Sequence, residues 1–172
     1  MFISPDDLKI IKTLNLKSPY VWCATWFGFG FFRPAPGTWG SLASIPPALI
    51  LFSFLGIWGL LLGITVITVI GFWASDKFDH ATGGHDNKMI VIDEAAGQWI
   101  TLLPVLYFTG LNPFMVLFAF IMFRFFDILK PWPISWFDKS LKGPISVMGD
   151  DIVAGLIGAA LLTGIIFYAG LG

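Results

Sequence analysis

Polar and apolar residues in this chain separate into long blocks instead of alternating. Charged residues occur only in three windows, 6–33, 76–94 and 124–151, and the stretches 34–75, 95–123 and 152–172 carry none. Such runs suit a hydrocarbon core, where a charge at mid-depth costs at least about 2.5–3.5 kcal/mol. The first run has 42 residues, about twice the number that one helical crossing needs. Phe54-Leu55-Gly56-Ile57-Trp58-Gly59 lies near its middle and predicts a tight hairpin, with helices over 41–55 and 57–75. Pro46-Pro47 predicts the first turn of a helix starting near Ile45, or a kink in a longer one. The second run breaks at Thr109-Gly110-Leu111-Asn112-Pro113, which predicts a short helix over 94–108, bent at Pro104, and a longer one over 113–129. The last run predicts a single span over 150–169. The expected fold is therefore all-α, a small polytopic membrane bundle of about five segments, two of them short.

Composition agrees with this pattern. Of 172 residues, 56% are hydrophobic and only 12% charged, roughly half the charged share of a soluble domain. The length suits one domain over 1–172. A net charge of −1 provides no basic field for nucleic acid. Cys23 is the only cysteine, which excludes an internal disulfide framework and a cysteine-based zinc site. Residues 1–20 hold Asp6, Asp7, Lys9, Lys12 and Lys17 and read as no cleavable leader. Ile3, Leu8, Ile11, Leu14 and Leu16 instead predict an amphipathic interfacial segment over 1–27. With uncharged hairpin turns, every charged window falls on one side, and the positive-inside rule makes that side cytoplasmic. Trp22, Trp26, Trp39, Trp73, Trp99, Trp132 and Trp136 lie in or beside those windows, as an interfacial belt would.

Exclusion from the bilayer alone accounts for one-sided lysines and for Asp6 and Asp7. It does not account for acids at helix ends. Asp93-Glu94, Asp127 and Asp150-Asp151 each stand at or just inside an expected membrane boundary. Carboxylates at one depth repel unless a positive charge sits between them. An oxygen-only ligand set favours Mg²⁺, which is usually held by a few carboxylates plus phosphate. Arg124, Asp127 and Lys130 follow at i, i+3, i+6 near a helix end. That spacing fits either an intrahelical ion pair or two cations that bind phosphate oxygens beside a metal-facing acid. Arg33 and Lys142 are further phosphate-binding candidates. Thr38 or Ser41, in the loop before the first helix, is a candidate N-cap, and a glycine-bracketed helix N-terminus also suits an anion. His85-Asp86 is placed to protonate a leaving alkoxide or to orient an attacking water.

Four motifs in order carry a family resemblance. Pro36-Gly37-Thr38-Trp39-Gly40-Ser41-Leu42-Ala43-Ser44-Ile45-Pro46 is the first. His85-Asp86 through Ile90-Val91-Ile92-Asp93-Glu94 and Gly97-Gln98-Trp99-Ile100 is the second. Arg124-Phe125-Phe126-Asp127-Ile128-Leu129-Lys130-Pro131-Trp132-Pro133-Ile134, with Trp136-Phe137-Asp138, is the third, and Gly149-Asp150-Asp151-Ile152-Val153-Ala154-Gly155 the fourth. Together they resemble the phosphatidylglycerophosphatase A family from about residue 28 to 158. The resemblance implies a Mg²⁺-dependent phosphatase of the bacterial inner membrane that hydrolyses phosphatidylglycerophosphate to phosphatidylglycerol and phosphate. It implies a site of Asp86, Asp93, Glu94, Asp127, Asp150 and Asp151. Arg124 and Lys130 would stabilise developing charge, and Asp93 or Glu94 would serve as base to an attacking water. An aspartyl-phosphate intermediate is the alternative.

Other designs fail by absence. The sequence holds no Cys-x₅-Arg, no Asp-x-Asp-Gly-Thr, no Pro-Ser-Gly-His and no Asp-Gly-x-x-Ala-Arg. A small transporter or ion channel with a carboxylate cation site is the rival reading. It predicts acids at mid-span or on both faces. A purely structural membrane protein leaves the helix-end acids unexplained. Oligomeric state is left open.

Overall fold

A computed structural model describes residues 5–84, 87–140 and 143–171. Among these residues the chain is helical, with no strand. The helices are α1 Pro5–Thr13, α2 Pro19–Ala24, α3 Pro36–Thr82, α4 Ile92–Thr109, α5 Pro113–Leu129, α6 Ile134–Ser140 and α7 Pro144–Tyr168, with a 3₁₀ turn at Phe29–Phe31. Two of them, α3 and α7, are long and apolar enough to cross a membrane.

The expected hairpin is present inside α3. Gly56 leaves helical geometry at φ 62°, ψ −157°, a conformation open to glycine and costly for other residues. A Cβ on Gly63 would stand 2.5 Å from Leu51 Cδ2. In a straight helix those positions would be about 18 Å apart, so the limbs 36–55 and 57–82 run antiparallel. The first limb starts at Pro36, five residues before the expected 41. Pro at the first helical position costs nothing there, because its missing N–H would be unpaired anyway. Pro46 and Pro47 therefore lie within a longer helix, the second of the two expected placements, and not at a first turn near Ile45.

The other boundaries fall closer to expectation. Helix α5 starts at Pro113, where Asn112 Oδ1 accepts from the amides of Phe114 at 3.0 Å and Met115 at 3.3 Å. It ends at Lys130, which takes the left-handed conformation (φ 42°) before Pro131. Helix α7 begins at Pro144, six residues before the expected start, so Asp150 and Asp151 lie in its second turn. Helix α6 was hidden inside a charged window with too few residues to show a period. The amino-terminal segment also departs from a simple surface stripe. Leu14, Val21, Ala24 and Trp26 are buried, and α2 packs on α3.

Helix α4 is the axis of the bundle, packing on α3, α5 and α7. Its middle is buried nearly all round, from Ala95 to Leu102. Trp99 Nε1 donates to the Ser44 carbonyl at 2.8 Å, tying α4 to the first limb of α3. A Cβ on Gly155 of α7 would stand 2.5 Å from the Gly97 carbonyl oxygen and 3.0 Å from Gly97 Cα. One turn further on, Thr101 contacts Gly158. The two helices therefore run parallel and cross with their backbones touching, as small residues allow.

Candidate active site

The parallel crossing of α4 and α7 sets the positions of the acids. Asp93 precedes Gly97 by four residues and Asp151 precedes Gly155 by four, so each acid stands one turn from the contact, on the same face. Ligand oxygens of Asp93, Glu94 and Asp151 all lie within 4.8 Å of one another. Asp93 and Asp151 are buried. Glu94 Oε2 and Asp151 Oδ1 are buried without a hydrogen-bond partner, a costly arrangement for carboxylates unless a cation or water completes it.

The cavity above this trio has a volume of about 550 Å³ and is lined by Asp93, Glu94, Asp127, Asp150 and Asp151 together with Lys88, Arg124 and Lys130. Arg124 Nη1 pairs with Asp127 Oδ2 at 2.6 Å, so the intrahelical pairing foreseen from their spacing is present. Lys130 Nζ pairs with Asp150 Oδ2 at 2.6 Å and links α5 to α7. Both cations thus line the cavity beside the trio, paired with the two acids outside it.

Glycine shapes the wall contributed by α3. A Cβ on Gly37 would fall 2.0 Å from Glu94 Oε1 and 3.2 Å from Arg124 Nη1. No other residue lets both charged groups lie against the start of α3. Ser41, one turn along, is fully buried. Its hydroxyl donates to the Gly37 carbonyl at 2.7 Å and accepts from Arg124 Nη1 at 3.2 Å.

The structure brings together most of the candidate residues, though not all. Asp93, Glu94, Asp127, Asp150, Asp151, Arg124 and Lys130 share the cavity. Arg33 does not reach it. Its guanidinium makes a bidentate pair with Asp7, Nε–Oδ2 2.8 Å and Nη2–Oδ1 2.5 Å, and so pins α1 to the loop before α3. Neither Thr38 nor Ser41 caps α3. The N-cap is Ala35, because the helix begins at Pro36, before either hydroxyl. Ser41 supports Arg124 from beneath, and Thr38 lines an adjoining apolar groove. His85, Asp86 and Lys142 lie outside the described residues. Asp76, Asp79 and His80 line a separate pocket with Gly83, Gly84, Gly143 and Pro144.

Three contributors were missed in the sequence: Gly37, Gly97 and Gly155. A signal for two of them was present, since Asp-x-x-x-Gly occurs at both 93–97 and 151–155. Lys88 was also missed, a single exposed lysine in a loop with no pattern around it.

Five carboxylates against three cations leave the cavity with excess negative charge. An all-oxygen set with unpartnered buried atoms fits a hard divalent cation rather than a soft metal. Such a centre beside Arg and Lys is suited to holding a phosphate group.

Comparison with known proteins agrees with this chemistry. The family model described as phosphatidylglycerophosphatase A matches residues 22–166. A phosphatidylglycerophosphatase A of Haemophilus influenzae is 37% identical over 158 residues, covering 92% of this chain and 95% of that protein. One of Escherichia coli is 38% identical over 165 residues, covering 94% and 92%. A Bacteroides thetaiotaomicron protein, provisionally named a phosphatidylinositol-3-phosphatase, is 34% identical over 148 residues, covering 80% and 87%. No solved structure matches the chain. The matched span contains every residue that lines the carboxylate cavity, and the chain belongs to the phosphatidylglycerophosphatase A family.

Proposed function

We propose that this chain is a membrane phosphatase that hydrolyses the terminal phosphomonoester of phosphatidylglycerophosphate, releasing phosphatidylglycerol and phosphate. The observation that carries the reading is the cavity itself, where three family motifs contribute five acids, Arg124 and Lys130 to one end of an apolar bundle. In this reading the two limbs of α3 and helices α4, α5 and α7 are the five membrane segments. The charged end faces the cytoplasm of a bacterial inner membrane, because all the lysines and arginines collect there. The 1–27 segment rests at the interface beside it. Acyl chains anchor the substrate so that its phosphate stands at headgroup depth, level with the cavity.

Asp93, Glu94 and Asp151 would hold Mg²⁺, with Asp127 and Asp150 close by. When bound, the ion would neutralise phosphate oxygens and favour ionisation of a nearby water. Arg124 and Lys130 bind the remaining phosphate oxygens and balance charge that develops in transfer. Asp127 and Asp150 hold those two cations in place by the pairs already described. A carboxylate of the 93–94 pair takes the proton from the attacking water. The phosphorus–oxygen bond to glycerol breaks, and the departing alkoxide takes a proton, a role that suits His85-Asp86 by sequence position. Beyond Asp151, α7 carries no charged residue, which speaks against an ion path along the bundle.

Phosphate release by purified protein from phosphatidylglycerophosphate, with Mg²⁺ and with EDTA, tests the reading. Release with Mg²⁺, loss in EDTA and recovery when Mg²⁺ is restored are expected. Folded protein that releases nothing with Mg²⁺ would overturn it. Phosphatidylinositol 3-phosphate and phosphatidic acid, run in parallel, rank the lipid headgroups.

A further inference from the structure

In the phosphatase reading the substrate's phosphate goes to the charged carboxylate cavity, which leaves its apolar end without a place on the protein. Beside that cavity lies an apolar groove of about 470 Å³, lined by Thr38, Phe120, Ile121, Arg124, Phe125, Ile128 and Leu129. Arg124 and Ile128 also line the carboxylate cavity, so groove and cavity adjoin at these two side chains. The two other pockets described, around Asp76–Pro144 and around Leu16–Phe32, share no lining residue with that cavity. The groove lies along a seam of the bundle. Helix α5 packs chiefly on α4 and α7 and touches α3 little. The groove walls are apolar and open outward, with Ile121, Phe125, Ile128 and Leu129 about half or more exposed. At the junction Arg124 Nε is buried and has no hydrogen-bond partner, a donor awaiting an acceptor at the point where apolar lining meets polar.

We propose that this α3–α5 groove seats the acyl-chain end of the substrate, so that the lipid enters sideways from the bilayer between Thr38 and the 120–129 face of α5. The proposal rests on the phosphatase reading above and adds to it the route of entry and the residues that prefer a lipid over a soluble phosphate. One molecule then occupies both compartments. Its chain lies on Ile121, Phe125 and Leu129, and its phosphate end passes Arg124 into the carboxylate cavity. A headgroup lacking acyl chains gains nothing from the groove, so selectivity resides there and turnover in the cavity.

The test compares diacyl phosphatidylglycerophosphate with its deacylated headgroup, glycerophosphoglycerophosphate, in mixed micelles. Ile121→Trp fills the groove and Phe125→Ala strips its wall. Each is expected to lower kcat/KM for the diacyl substrate about tenfold more than for the headgroup, mainly through KM. Leu62→Trp, an exposed apolar position on the second limb of α3, is expected to leave that ratio at the wild-type value. Equal losses on both substrates, or no change in the ratio for either groove variant, would overturn the proposal. A diazirine-tailed phosphatidylglycerophosphate supplies a readout without turnover. Peptides from 113–129 should be labelled, and unlabelled phosphatidylglycerophosphate should compete where phosphatidylcholine does not. Wild-type protein inert on both substrates refutes the phosphatase reading alone. Labelling that phosphatidylcholine competes equally, or that misses 113–129, refutes the groove alone.

Discussion

Gly155→Ala tests whether the backbone contact between α4 and α7 sets the geometry of the site. The added Cβ would stand 2.5 Å from the Gly97 carbonyl oxygen, 3.0 Å from Gly97 Cα and 3.1 Å from its carbonyl carbon. The closest approach is roughly 1 Å short of an ordinary contact. All three atoms are backbone, so no rotamer change relieves the clash and the helices must part. Replacing glycine by alanine inside a helix returns at most about 1 kcal/mol, whereas overpacking of this kind costs about 1–3 kcal/mol. Net destabilisation should therefore be modest, about 0–2 kcal/mol. The effect on the site should be larger. Asp93 and Asp151 stand one turn away, about 6 Å along the axes, so nearly the whole separation reaches the carboxylate trio. A shift of that size is expected to lower kcat about 10²-fold and to raise the Mg²⁺ concentration for half-maximal phosphate release. The assay is a Mg²⁺ titration of phosphate release beside a thermal melt followed by tryptophan fluorescence. Gly164→Ala, on the same helix with nothing within 4 Å of the added Cβ, is the internal control and should keep full activity. Wild-type kcat and half-saturation in Gly155→Ala would refute the reasoning.

Asp93→Asn, Glu94→Gln and Asp151→Asn, each close in shape to the native side chain, should each lower turnover by about 10²-fold or more with melting temperatures little changed; a variant that keeps full phosphate release drops out of the site. Arg33→Ala should lower stability by about 1 kcal/mol, because it removes a bidentate pair that ties α1 to the loop before α3, while kcat holds. A large fall in kcat at unchanged melting temperature would return Arg33 to phosphate binding. Ile57→Cys in a Cys23→Ala background should react with an impermeant thiol reagent only from the outer face, and labelling from the cytoplasmic side would break the proposed topology.

Block partition was legible in the sequence because the separation of charged from apolar residues is a property of each segment's own composition, without reference to the rest of the chain. The hairpin at Gly56, the helix break at Gly110 and the starts and ends of α4 and α5 follow from such local rules, and so does the gathering of acids at helix ends. Where helices began was less legible when a charged window hid the boundary. Pro144 starts its helix inside the charged window 124–151, eight residues before the uncharged run, and Pro36 starts one five residues before the expected 41.

Tertiary structure alone decided which groups meet. Arg33 and Arg124 are both arginines beside a motif, yet one is taken up by Asp7, 26 residues away, and the other rests on Ser41, 83 residues away. Ser41 looked like a cap and became a buried support. Asp93, Glu94 and Asp151 form one cluster because Gly97 and Gly155 remove the side chains that would keep two helices apart. Hydrophobic pattern and motif order are properties of a segment, and they determined the class of protein and its candidate acids. Distances between segments depend on which atoms are absent at a crossing, and only the folded bundle determines those.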